Sequence, residues 1–256
     1  MAFPTYVAAG TLQESTTTLT VTDSGSEATG DYQLLVCESA DEAVSLTTSG
    51  GFTALATVSV PDASLLIATR LTAFERIYAA QADPVTNDPG NHIIATIFTY
   101  RRSSGTWSTL ADAHDATQGI GWETNSENVE DTTGSFPDIA SAEATDLLIT
   151  GVTAHAKPDI AGGTAELSAI ANGNLGSITE RFDDAAASGN GGWIGAFTGT
   201  KSGGEAPGAT TYTKATASFK AHLVVALRDA APSAAVGPPF RRRTAHGRMY
   251  GPWGDW

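Results

Sequence analysis

HIIATIFTYRR, residues 92–102, decides how this chain folds. Ile93, Ile94, Ile97, Phe98 and Tyr100 make the run nearly continuously apolar and β-branched, which predicts a central strand buried on both faces. A strand of related character closes the patterned region. In ATASFKAHLVVALRD (215–229), Phe219, Ala221, Leu223, Val225 and Leu227 alternate with Lys220, His222 and Arg228. Earlier, FTALATVSV (52–60) places Phe52, Ala54, Ala56, Val58 and Val60 on one face, the pattern of a half-buried strand. TTTLTVT (16–22), GDYQLLVCES (30–39), DLLITGVTAHA (146–156), GSITERFDDA (176–185) and GWIGAFTGT (192–200) read as further strands. LTAFERIYA (71–79) has no decisive period and is assigned as a strand from its neighbours.

Eight or more short strands with Gly-rich turns, and no helical stretch, predict an all-β fold: a jelly-roll-like, two-sheet antiparallel β-sandwich. The two halves are alike in outline. GDYQLLV is echoed by ATDLLIT (144–150), and each half ends on an apolar strand. Two four-stranded sets packed face to face account for this within one domain, residues 1–229.

Composition supports strands over helices. Only 16% of the 256 residues are charged, and 41% are hydrophobic, enough for a sizeable core. The net charge of -14 is unevenly placed. Residues 1–239 hold 10 Lys and Arg against 27 Asp and Glu, whereas residues 240–256 hold four Arg and one Asp. The body therefore repels nucleic acid, and no stretch approaches the roughly 20 apolar residues of a membrane span. The one cysteine, Cys37, leaves no intramolecular disulfide or cysteine zinc site and reads as a small buried strand residue. The N-terminal MAFPTYVAAGT lacks a secretory pattern, so synthesis in the cytoplasm is expected.

Motifs of catalysis are missing. GAFTGTKS (195–202) resembles a phosphate-binding loop, but Thr200 separates Gly199 from Lys201 and glycines follow where a helix is needed. There is no G-x-S-x-G and no H-E-x-x-H. Asp183 and Asp184 are adjacent carboxylates, the raw material of a glycosidase pair, but sequence does not place them across a cleft. These observations predict a non-enzymatic protein without a cofactor or metal. From Ser103 to Ala142 the pattern breaks into a long irregular loop holding Trp107, Trp122 and the acidic run ETNSENVEDTTG. Within it Trp107, Trp122, Glu123 and Glu127 are the candidate ligand residues, for glycan through the indoles or calcium through the carboxylates.

After Asp229, AAPSAAVGPP (230–239) carries three prolines and reads as an extended linker. It leads to FRRRTAHGRMYGPWGDW (240–256), an extended C-terminal arm with Phe240, Arg241, Arg242, Arg243, Arg248, Tyr250, Trp253 and Trp256. Aromatic and arginine side chains dominate interface energetics, so these eight are the candidate partner-binding residues.

The succession G-D-x-x-L-L-V, G-G-F-T-A-L, T-R-L-T-A-F-E-R and H-I-I-A-T-I-F-T-Y-R resembles a pattern of β-sandwich structural proteins of tailed bacteriophages. Gly30-Asp31, Gly51-Phe52-Thr53 and Ile93 to Arg101 carry the likeness, which covers about the first hundred residues, with a weaker echo at 146–149 and 223–228. The resemblance implies a structural role in a virion: a capsid decoration or cement protein, or a tail-associated accessory. Its implied partners are other virion proteins, capsid or tail subunits, and further copies of itself. The alternative is a glycan- or receptor-binding module of a tail fibre using the long loop.

Overall fold

The structure is a computed structural model and describes residues 2–40, 44–62, 67–87, 92–140, 146–155, 162–187, 191–202 and 206–229. The linker and arm lie outside the described residues. In the first half the strands are β1 (Thr5–Ala9), β2 (Gln13–Ser15), β3 (Thr18–Thr20), β4 (Tyr32–Ala40), β5 (Ser45–Thr48), β6 (Thr53–Asp62), β7 (Ile67–Ile77), β8 (Val85–Asn87) and β9 (Ile93–Arg101). A four-residue helix, α1 (Leu110–Ala113), follows. The second half supplies β10 (Trp122–Phe136), β11 (Leu147–His155), β12 (Leu167–Ala171), β13 (Gly176–Ala186), β14 (Gly192–Lys201) and β15 (Thr210–Arg228).

The expected two-sheet antiparallel sandwich forms, but the chain runs through it half by half. One sheet has the order β1-β9-β4-β7-β6 and the other β10-β15-β11-β14-β13. In chain order these are the same five-strand path, with β1, β4, β6, β7 and β9 matching β10, β11, β13, β14 and β15. A shared irregularity strengthens the match. The β6–β7 register shifts between Ala54 and Ala56, opposite Phe74 and Ala73, and the β13–β14 register shifts between Glu180 and Phe182, opposite Phe197 and Ala196. The same Ala-Phe step faces the same bulge in both halves. β6 packs over β10 and β15, while Tyr6 of β1 donates to the Arg181 carbonyl of β13 (3.4 Å) and Phe98 meets Phe182 edge-on. The edge strand of each half thus packs over the opposite edge of the other, as in a two-fold dimer built into one chain.

The bulge corrects the reading of FTALATVSV. An extra residue moves every later side chain to the opposite face. Phe52 therefore packs on the outer side of its sheet with Phe74 and Leu35, whereas Val58 and Val60 enter the central core with Leu71 and Ala73. Gly30 opens β4 at φ 89°, where a Cβ would strike Thr106. Asp31 then accepts Ala28 N and two bonds from Arg101.

The central core between the sheets holds Tyr32, Leu34, Ile94, Phe98, Tyr100, Leu148, Val152, Ile194, Leu223, Val225 and Leu227. Across it, Tyr100 Oη and Thr150 Oγ1 share a hydrogen bond of 2.6 Å. Each outer face is also covered, which explains why β4, β9, β11 and β14 are buried along both faces. The small sheet β3-β8-β5 lies over the first sheet and encloses Leu19, Val21, Leu35, Cys37 and Ile97. Over the second, β12 pairs with the first residues of β15 and encloses Phe136, Leu167, Trp193, Phe197 and Tyr212.

Candidate interaction site

Two regions stand out: a corner in the β10–β15 ribbon and the root of the C-terminal arm. The ribbon begins as part of the second sheet, with Trp122 opposite Val225 and Glu127 opposite Lys220. Register shifts on either side of Asp131 break its ladder before Thr133 to Phe136 pair with Thr213 to Thr210. There the ribbon folds back over its own sheet. Tyr212 Oη lies 2.9 Å from His222 Nε2, although ten residues of straight strand span roughly 33 Å. Ser135 N likewise donates to Glu127 Oε1 at 2.6 Å.

Two buried lysines staple this corner. Lys220 Nζ donates to Asp131 Oδ1 (2.7 Å) and to the Ser218 carbonyl (3.1 Å), and lies 3.3 Å from Glu127 Oε2. Lys214 Nζ donates to the Thr216 carbonyl and to Ser218 Oγ (2.8 Å), beside Glu166 and over the Trp193 ring. The ammonium groups donate to the Thr216 and Ser218 carbonyls beside the shifts in the ladder. Asp131 is held below the usual carboxylate range, chiefly by its hydrogen bond from Lys220. His222, beneath the corner, is driven down to about 3 by burial and then by Lys220, so its ring is neutral. The neutral ring shares a hydrogen bond at Nε2 with the Tyr212 hydroxyl, and Thr153 Oγ1 lies 2.9 Å from the same oxygen.

A cavity of about 650 Å³ opens at the bend, lined by Glu127, Val129, Asp131, Ser135, Ala169 and Thr211 among others. Val129 is 62% exposed on its rim; Ile120, 38% exposed, precedes the same strand, and these are the exposed large apolar side chains among the described residues. The cations at the bend, Lys214 and Lys220, both come from β15. Between Arg102 and Lys157 there is no Lys or Arg.

The root of the arm is gripped at the other end of β15. Trp107 Nε1 donates to the Arg228 carbonyl (3.0 Å), and Arg102 Nε donates to the Asp229 carbonyl. Ser103 donates to the Asp229 carboxylate twice, from N (2.8 Å) and Oγ (2.6 Å). The last described residue is therefore fixed to the β9–α1 connection, and the linker starts from a set position on the body.

The expected irregular loop of 103–142 is corrected accordingly. It contains α1, capped reciprocally by Thr109 and Asp112, and the fifteen-residue strand β10. Glu, Asn and Thr obscure the period because most of β10 lies on a sheet edge, where neither face requires apolar residues. Trp107 is also corrected: it is 1% exposed, packs edge-on to Tyr32, and has no free ring face for glycan. Trp122 is half-buried and donates to the Ala116 carbonyl at 3.2 Å. Glu123 accepts Gln118 Nε2 and Thr124 N, and Glu127 accepts Ser135 N and faces Lys220. The structure thus brings Glu127 to the corner and leaves Trp107, at the arm root, apart from it.

The Asp183–Asp184 pair serves the fold. Asp183 accepts Glu166 N, Leu167 N and Trp193 Nε1 at 2.7–2.8 Å; burial raises its pKa against the pull of those donors. Asp184 Oδ1 accepts Ala185 N (2.9 Å). Adjacent strand residues point to opposite faces, so the two carboxylates do not meet across a cleft. GAFTGTK lies within strand β14. Phe240, Arg241, Arg242, Arg243, Arg248, Tyr250, Trp253 and Trp256 lie outside the described residues. Lys214, Lys220 and Asp229 were missed in sequence because an alternating polar residue on a terminal strand reads as solvent-facing. No family model, curated protein or solved structure matches the chain.

Proposed function

We propose that this protein is a non-enzymatic structural component of a phage virion, a capsid decoration or tail-associated protein that attaches to neighbouring subunits through its C-terminal arm. The observation that carries the reading is the grip on Asp229 by Arg102 and Ser103. A fixed root turns a short linker and arm into a directed tether, which lowers the entropy lost when the arm docks. The distribution of side chains supports the same division of labour. Among the described residues the body exposes two large apolar side chains, while the arm alone carries Phe240, Tyr250, Trp253, Trp256 and four arginines. The carboxylates that cluster in sequence are occupied with the fold's own amides and lysines, in keeping with a structural role.

The test is incorporation into particles of the full chain against a chain ending at Pro239. The shortened chain is expected to fold, with its occupancy falling to background. Equal occupancy would remove the arm from the attachment.

A further inference from the structure

We propose that Lys220 and Asp131 condense into an intramolecular amide bond, with Glu127 carrying the protons, so that the β10–β15 corner is closed covalently. This goes beyond the attachment reading above and does not depend on it. Two adjacent strands hold the three side chains. Glu127 lies opposite Lys220 in the ladder with its Oε2 3.3 Å from Nζ, and Ser135 N fixes its other oxygen by donating at 2.6 Å. Asp131 pairs with Ser218 between two register shifts, and from there its Oδ1 meets Nζ at 2.7 Å. Thr133 N donates to the same oxygen at 3.1 Å. Lys220 is fully buried, and the Ser218 carbonyl holds its ammonium from another side at 3.1 Å. A nucleophile, a carboxyl carbon and a proton carrier are thus set in contact on rigid strands.

The structure shows the ion pair that precedes the reaction, with Asp131 ionised. Glu127 first carries one ammonium proton from Nζ to Asp131 Oδ2, leaving a neutral amine beside a neutral carboxyl. Cγ lies one bond behind Oδ1, so a turn of the carboxyl brings it to the roughly 3–3.5 Å of a near-attack contact with Nζ. The nitrogen lone pair then forms the N–Cγ bond, and the carbonyl electron pair moves onto Oδ1 under the Thr133 amide. Glu127 carries a second proton from Nζ to Oδ2. As the electron pair returns from Oδ1, the Cγ–Oδ2 bond breaks and Oδ2 leaves as water, into the cavity that Asp131 lines with its side chain 43% exposed. Nζ keeps one hydrogen, the two opposite charges have cancelled, and Glu127 ends as it began. Holding the partners in contact is worth an effective concentration on the order of 10⁵–10⁸ M, and the amide removes a buried charge that is costly to desolvate. The product ties residue 131 to residue 220, a cross-link that a chain with one cysteine cannot make by disulfide, and it restricts the unfolded chain in the same way.

The experiment uses the folded full chain and intact mass spectrometry. The unaltered chain is expected to be one water lighter than its sequence. Tryptic digestion should leave Lys220 uncleaved and give a branched peptide joining the segments that contain Asp131 and Lys220. Lys220→Arg keeps a cation for both carboxylates but offers no amine, so it should show its full sequence mass. Glu127→Gln keeps the size of the proton carrier without its basicity and should slow bond formation tenfold or more, with circular dichroism reporting an intact fold. A folded, unaltered chain that keeps its full mass after prolonged incubation, with normal cleavage at Lys220, would overturn the proposal and leave an ion pair only. A branched peptide running through Glu127 or Glu166 in place of Asp131 would overturn the assignment. Water loss at an unchanged rate in Glu127→Gln would overturn the part given to Glu127.

Discussion

His222 shows how one buried side chain ties stability to pH. An unfolded chain protonates this imidazole near pH 6.5, whereas the folded ring stays neutral down to about 3. Between those values the unfolded state binds a proton that the folded state does not. The stabilisation is complete above pH 6.5 and declines by about 1.4 kcal/mol per unit as pH falls toward 3. Urea denaturation between pH 7 and 4 is expected to show this slope. His222→Gln keeps an acceptor for the Tyr212 hydroxyl and should flatten it; an unchanged slope would assign the acid sensitivity to other groups. Trp107 makes a second prediction of this kind. Its ring fills core volume and its Nε1 holds the Arg228 carbonyl, so Trp107→Ala should cost about 3–5 kcal/mol in the same assay. Neither change should affect contacts made by the arm's own side chains.

Among the elements, the β10–β15 ribbon depends most on polar residues. A ribbon folding over its own sheet shifts its ladder, and Lys220 and Lys214 add donors at the bend. Lys220→Met keeps length and apolar stem but leaves the Ser218 carbonyl and the Asp131 and Glu127 carboxylates without their shared cation. The expected loss is about 2–4 kcal/mol. Hydrogen exchange should quicken at 126–136 and 210–218 while β4 and β9 stay protected. Uniform loss of protection would mean that the corner is not a separate unit. The apolar strands β4, β9, β11, β14 and β15 were legible because a two-residue period and β-branched runs report burial directly, whereas β7 had no decisive period and was assigned from its neighbours. β10 was not, since its pairing is set by β15 while its side chains lie largely at an edge. The phase of β6 was hidden for a related reason. A bulge adds a residue without changing composition, and Phe52 and Val58 separate onto opposite faces.

At the scale of the molecule, the same five-strand path is traced twice and the copies share one core. The inner faces of both sheets are apolar and meet along their whole width, with Tyr100 bonded to Thr150 and Trp107 to the Arg228 carbonyl. Neither half can leave without exposing the residues that stabilise the other. Thermal unfolding of the full chain is therefore expected as a single transition by both circular dichroism and tryptophan fluorescence. Two separated transitions would show that the halves are independent. The short likeness of GDYQLLV to ATDLLIT does not carry the repeat. Aligning the leucine pairs sets Leu34, which faces the central core, against Leu147, which faces outward. The equivalence lies in ladder and bulge positions, which many sequences satisfy.

By itself the sequence determined the all-β class, most of the strands, the central burial of 92–102, the acidic body, and the place where patterned chain gives way to linker and arm. Those properties follow from local spacing and composition, which act on each strand separately. Only the tertiary structure decided which sheet each strand joins, that polar Lys220 and His222 are buried, that Trp107 is a core residue, and that Asp229 is gripped at the root of the arm. These depend on what covers each face. Coverage is set by segments more than a hundred residues away in the case of Trp107 and Asp229, through contacts that no local pattern encodes.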